Sequence, residues 1–314
     1  MKLVVMIPAY NEENSIGAVI REIPRKIPGV DSVQVLVIND GSTDGTVEEA
    51  KRSGADKIFS HKRNMGLGMT FKHGLEEALR MGADLIVNTD ADGQYNGLEI
   101  AALIEPIIEN RADIVIGDRQ IGQLDHMPPQ KKIGNRIATW VTRRATGLPI
   151  RDAQTGFRAF SREASLKISL ADAGYTYTQE TLIEASHKGL TVVQIPIEFR
   201  KREGHSRLIS GIFTYAGMAG KTILRSYRDF RPFRFFAAIG LGLILLGLIT
   251  GGYVLWNFLE TGMVTPHLPT AVLTVVFLVI GVQVLIFGLM ADMLKTQRMI
   301  QEEILYRMKR KELE

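Results

Sequence analysis

Up to about residue 117 the chain alternates between two kinds of hydrophobic spacing. Short β-branched runs read as strands: "LVVMIPA" (3–9), "VQVLVIN" (33–39), "DKIFSH" (56–61), "DLIVNT" (84–89) and "DIVIGD" (113–118). Between them lie stretches with helical spacing, as in "SIGAVIREI", where Ile16, Val19, Ile20 and Ile23 share one face. Strands alternating with helices predict an α/β fold, a Rossmann-like, mostly parallel sheet with helices on both faces. In such open sheets ligands sit beyond the carboxyl ends of the strands. Here those ends are "PAYNEE", "NDGSTD", "RNMGLG", "TDADGQ" and "GDR", all polar.

From 130 to 200 the pattern is more mixed. A basic helix "KKIGNRIATWVTRRATG" precedes a loop "IRDAQTGFRAF", a helix around "TQETLIEASHKG" and a strand "TVVQIPIEFR". The next segment, 206–230, carries Leu208, Ile209, Ile212, Phe213, Tyr215, Met218, Ile223 and Leu224 at helical spacing and ends in basic residues. That combination predicts an amphipathic helix lying in a membrane interface, with packing on the domain as the alternative. Two uncharged apolar runs follow, 235–259 and 268–291, each near or above the ~20 residues that cross a bilayer core. The tail, 292–314, is charged and helical, with Ile300, Ile304 and Met308 four apart. A solvated helix is its default reading; a contact within a homo-oligomer is the alternative. The expected divisions are a catalytic domain at 1–206, an interfacial helix and basic linker at 207–234, a two-helix membrane hairpin at 235–291 and the tail.

Charge placement orients the hairpin. Arg225, Arg228, Arg231 and Arg234 precede the first run, Lys295, Arg298, Arg307, Lys309, Arg310 and Lys311 follow the second, and the linker "ETGMVTPHL" has no Lys or Arg. The positive-inside bias then predicts a cell-membrane protein with the N-terminal domain and both termini cytoplasmic. The 314 residues contain no cysteine, which excludes disulfides and thiolate metal sites. The net charge of only +4 gives no reason to expect a nucleic-acid partner.

Several apparent motifs fail. "YAGMAGKT" has Tyr215 where a phosphate-binding loop needs its first glycine, and "GLGMTF" lacks the third glycine of a dinucleotide fingerprint. His126, His187 and His205 read as surface residues. What remains is the acidic rim. Asp90 and Asp92, one residue apart at the end of a strand, offer hard oxygens to Mg²⁺ or Mn²⁺, and Gln94 is a candidate third ligand. A polar turn is the competing reading. Asp40 and Glu12 suit a nucleotide's ribose or base edge; helix capping competes for both, with Asp44 and Asn14 as rival caps.

In order along the chain, "IPAYNEE", "VINDGSTDGT", "RNMGLGMTFKHGLEEA", "TDADGQY", "GDR", "DAQTGFRAF" and "REGHSRL" resemble the family 2 glycosyltransferases of GT-A fold. The branch they resemble most is that of the dolichyl-phosphate mannose synthases and polyprenyl-phosphate glucosyltransferases. The resemblance implies a nucleotide-sugar donor (UDP- or GDP-linked hexose), a divalent cation, inversion at the anomeric carbon and a polyprenyl or dolichyl phosphate acceptor. Position by position, Pro8, Tyr10, Glu12 and Asp40 match the nucleotide-binding blocks, and Asp90, Asp92 and Gln94 the metal and diphosphate block. Arg119 matches the acceptor-phosphate arginine; Arg136, Arg202 and Arg207 match the surrounding basic blocks more loosely. Asp92 and Arg119 are accordingly the expected catalytic pair. The QxxRW motif of processive synthases is absent. Two other activities are weighed. Transfer to a neutral lipid such as diacylglycerol would demand a general base, with Asp152 and Glu180 as candidates; the other is a non-catalytic sugar-nucleotide-binding membrane protein.

Overall fold

The computed structural model describes residues 1–124, 127–170, 177–201 and 232–313. Arg202, Arg207, His126, His205 and nearly all of the expected interfacial helix lie outside the described residues. In chain order the elements are β1 (Lys2–Ala9), α1 (Ile16–Glu22), β2 (Ser32–Asn39), α2 (Thr46–Arg52), β3 (Lys57–Ser60), α3 (Leu67–Arg80) and β4 (Leu85–Asn88). They continue with α4 (Ile100–Ile108), β5 (Ile114–Asp118), α5 (Pro129–Thr146), β6 (Arg158–Ser161), α6 (Arg162–Lys167), α7 (Tyr177–His187) and β7 (Val192–Pro196). Two long helices close the chain, α8 (Pro232–Thr261) and α9 (Leu268–Leu313).

One seven-stranded sheet runs in the order β3-β2-β1-β4-β6-β5-β7. All pairings are parallel except those of β6, which lies antiparallel between β4 and β5. Sequence reading assigned "GFRAF" to a loop. Its four-residue strand is too short to show a period, and Arg158 within it looked like surface. In fact Arg158 is fully buried and donates to the carbonyls of Thr155 (2.9 Å), Thr178 (2.6 Å) and Ala153 (2.9 Å).

The central strands are buried on both faces, so they read as continuous apolar runs. Leu3, Val5 and Ile7 of β1 join a cluster with Ile16 and Ile20 of α1 and Leu103 and Ile104 of α4. Val4 and Met6 face the opposite cluster with Phe71 and Leu75 of α3 and Leu182 of α7. Helices therefore cover both sides, and the polar strand ends emerge at one edge.

Contacts divide the chain into two units, 1–219 with 306–314, and 220–305. In the first, Tyr306 Oη is 2.8 Å from Glu163, Lys167 lies over the Tyr306 ring and Arg162 donates to the Leu313 carbonyl at 2.9 Å. The chain's end, expected to be solvated, thus packs on α6. The second unit is a helical hairpin whose helices are long and apolar enough to cross a membrane. Only 11% and 17% of their most apolar windows are buried, which separates them from the core helices of a soluble domain.

Candidate active site

At the ends of β1 and β2 two loops are stitched together. Asn11, held at φ 53°, accepts from the Thr43 N–H (2.8 Å) and receives Ser42 Oγ on its own N–H (2.9 Å). Glu13 accepts from the Gly45 N–H at 2.8 Å. Pro8 is buried in β1 opposite Ile38, and Tyr10 stands 39% exposed where the strand leaves the sheet. Glu12 Oε2 accepts from Ser15 Oγ at 2.9 Å, while its backbone carbonyl takes the first N–H groups of α1.

Asp40 does not cap α2. Asp44 does that work by accepting from the Thr46 N–H at 3.1 Å. Asp40 is buried and accepts from His61 Nδ1 (2.7 Å), the Met65 N–H (2.8 Å) and the Gly66 N–H (3.0 Å). A carboxylate only accepts, so His61 carries its proton on Nδ1 and its Nε2 accepts from His73 Nδ1, 2.9 Å away. Burial, and then the neighbouring His61, push the His73 pKa down. This Asp40–His61–His73 chain, which fixes the loop at 64–66, was not foreseen, because no sequence spacing announces it.

The DAD turn follows β4. Asp92 Oδ1 accepts from the Gln94 N–H at 3.2 Å, the Asx geometry of the turn reading, so the turn and a metal role coexist at Asp92. Both carboxylates are half-buried. Gly156 lies against Asp90: a Cβ there would come within 2.8 Å of the carboxylate. The missing side chain leaves the space the carboxylate occupies. Tyr95, stacked on Phe157, accepts the Gly156 N–H at 2.9 Å, and burial followed by the nearby Asp90 raises its phenol pKa. Gln94 is held by the 197–201 segment, its Nε2 donating to the Arg200 carbonyl at 3.2 Å.

That segment crosses the rim. Phe199 bridges to Tyr95, and the Arg119 guanidinium carbon lies 5.1 Å from the centre of its ring. Arg119 grips Asp152 with two bonds, Nε at 2.6 Å and Nη2 at 2.9 Å, with only 12% and 1% of the two side chains exposed. Asn135 Nδ2 of α5 also donates to Asp152 (3.0 Å). Burial opposes ionisation of Asp152, but Arg119 more than offsets it and holds the carboxyl below its usual range. Asp152 is therefore not a spare base: its lone pairs are committed to a cation. Glu180, in the first turn of α7, is half-buried. Arg136 is exposed and lines a cleft of about 740 Å³ with Gln120, Asn135 and Arg151 beside β7.

Among the described residues no three His, Asp or Glu side chains gather as a closed metal cage. The donor set nonetheless fits a hard cation that takes one or two carboxylates and completes its octahedron with phosphate oxygens and water. Asp90 and Asp92 at an open rim, with Gly156 keeping room for Asp90, meet that requirement.

Comparison with known proteins agrees with this architecture. Residues 4–168 match the family described as glycosyl transferase family 2. A UDP-N-acetylglucosamine–dolichyl-phosphate N-acetylglucosaminyltransferase of Methanococcus voltae is 32% identical over 214 residues, 62% of this chain and 84% of that one. A polyprenol monophosphomannose synthase of Mycolicibacterium smegmatis is 30% identical over 212 residues, 64% and 78%. Among solved structures, glucosyl-3-phosphoglycerate synthase of Mycobacterium tuberculosis, with Mn²⁺, UDP and glucosyl-3-phosphoglycerate, superposes with a TM-score of 0.53. It is 22% identical and the match covers 72% of this chain and 78% of that one, which speaks to the fold alone. With its mixed sheet, its DAD turn and its family match spanning more than half its length, the chain belongs to glycosyltransferase family 2.

Proposed function

We propose that the protein transfers a hexose, with inversion, from a UDP- or GDP-sugar to polyprenyl or dolichyl phosphate at the cytoplasmic membrane face. The observation that carries this reading is the pairing of two features at one rim. An open two-carboxylate turn lies beside a buried arginine whose charge exceeds what Asp152 alone can use. The relatives' printed acceptors, dolichyl phosphate and polyprenol phosphate, support the same class.

Asp40, Glu12, Pro8 and Tyr10 would receive the nucleoside, with Asp40 and the 64–66 loop kept in place by His61. Asp90 and Asp92, with Gln94 through its amide oxygen, would hold Mg²⁺ or Mn²⁺. When bound, that cation neutralises the charge building on the departing diphosphate. The acceptor needs no base. A phosphate monoester has a second pKa near ~6 and is an oxyanion at neutral pH. Its oxygen attacks C1 of the sugar as the bond from C1 to the diphosphate oxygen breaks, and the nucleoside diphosphate leaves with the electron pair. Arg119 spends Nε and one Nη2 proton on Asp152, so a phosphate would be met through its remaining N–H groups, with Arg136, Arg202 and Arg207 as further cations. Transfer to a neutral lipid hydroxyl is disfavoured because Asp152, one of its two candidate bases, is ion-paired.

The test is a donor screen on membranes supplied with polyprenyl phosphate, reading the lipid product by mass spectrometry. One nucleotide sugar should yield a hexosyl-phosphoryl lipid, Asp92→Ala should abolish it, and chelation should do the same in the unaltered protein. Arg119→Lys keeps a cation against Asp152 but loses the fork. It should raise KM for the lipid phosphate far more than for the donor. Product formation with diacylglycerol instead of the phosphate would refute the reading.

A further inference from the structure

Helix α5 has an unusual outer face. Gly134, Asn135, Ala138, Thr139 and Thr142 are turned inward, and the helix is pinned there. Asn135 bonds Asp152, and Thr139 Oγ1 accepts from the Ala153 N–H at 3.1 Å. On the opposite side Ile133, Ile137 and Trp140, spaced i, i+4, i+7, form one stripe and are 49%, 45% and 62% exposed. The helix carries Lys131, Lys132, Arg136, Arg143 and Arg144 and no acid. Because the inner bonds fix its rotation, it cannot turn the stripe into the core.

We propose that this face of α5 is a second membrane-contacting element, which seats Trp140, Ile137 and Ile133 among the lipids of an anionic bilayer surface. A narrow apolar stripe bordered by cations suits the headgroup boundary, where the apolar side chains enter and the arginines and lysines stay with the phosphates. The same charges argue against a second copy of this chain as the covering partner, since a self-complementary pairing would set like cations against one another. Continuity argues likewise, because the chain already carries two helices fit to cross a bilayer. The inner face of α5 holds Asp152, and through it Arg119, so seating the outer face would bring the phosphate-binding arginine to headgroup depth. The proposal rests on the apolar helices entering a bilayer and not on the transfer reaction; its readout needs no substrate.

The chain has two tryptophans, so Trp256→Phe leaves Trp140 as the sole reporter. The full chain with this substitution is reconstituted into vesicles of phosphatidylcholine and phosphatidylglycerol whose acyl chains carry bromine at defined depths. Trp140 emission should fall, and fall most with bromine on the upper acyl carbons, because such faces seat about 5–10 Å into the headgroup boundary. Adding Lys132→Glu, Arg143→Glu and Arg144→Glu should relieve the quenching, as should raised salt, with circular dichroism checking that the helix content is retained. Emission untouched by bromine and freely quenched by acrylamide would overturn the proposal. So would emission shielded from both, which would mean that a protein surface, such as a second copy, covers the stripe.

Discussion

Asp152 shows how a carboxylate at a catalytic rim can act through a neighbour. Sequence chemistry offered it as a base; burial beside Arg119 makes it a positioning residue. Breaking a buried pair leaves an uncompensated charge, so Asp152→Ala should cost about 3–5 kcal/mol of stability. Its pH dependence follows from the lowered pKa. The unfolded carboxyl titrates near ~3.9, so the stabilisation is complete at neutral pH and is lost as the pH falls below about 4 through the folded value. Thermal unfolding of the full chain in detergent should therefore weaken more steeply below about pH 4 for the native protein than for Asp152→Asn. Gly156 offers a test at the other carboxylate. A Cβ 2.8 Å from Asp90 Oδ1 must displace that side chain, which can yield because it is not backbone. Gly156→Ala should lower kcat/KM roughly tenfold or more, about 1.4 kcal/mol of transition-state stabilisation, with little change in melting temperature.

Among elements, the segment after β7 does what no strand or helix pattern announces. Its backbone and side chains bond back across the rim: the Arg200 N–H to the Gln94 carbonyl (2.8 Å), Asn96 to Glu198 (2.7 Å) and Arg200 to Glu22 (2.7 Å). The DAD turn is thereby clamped between the first helix and the chain's return from the sheet. In the hairpin the determining contacts are backbone to backbone. A Cβ at Gly281 would meet the Gly240 carbonyl oxygen at 2.9 Å, and Thr274 hydrogen-bonds Thr250 across the pair at 2.8 Å. Small residues permit such approach where lipid gives no hydrophobic drive for association. Gly281→Leu should separate the helices; pairs of cysteines introduced at positions 250 and 274 should then cross-link in the native background and fail to do so in the variant.

For the molecule as a whole, two sequence-distant pieces form one unit: residues 306–314 belong with the N-terminal domain, held by Glu163, Arg162 and Lys167. The cytoplasmic topology expected from the basic flanks has a simple measurement, because the chain has no cysteine of its own. In intact cells a membrane-impermeant maleimide should label Met263→Cys, in the loop between the apolar helices. It should label Lys51→Cys, on α2, only after the membrane is opened. Reversed labelling would place the catalytic rim on the wrong side for a cytosolic nucleotide sugar.

The sequence by itself determined the elements whose hydrophobic period is long enough to register: the five parallel strands β1 to β5, the helices that cover them and the two apolar runs. It also marked Asp90, Asp92, Asp40 and Arg119, because acids and arginine at strand ends are not demanded by packing. Tertiary structure alone decided what those groups touch. The short antiparallel β6, the burial of Arg158, the His61–Asp40 bond, the Arg119–Asp152 grip and the outward stripe of α5 all depend on partners 12 to 33 or more residues away, or on which helix face meets the core. Such contacts are fixed by the packing of the whole domain, and no local spacing encodes them.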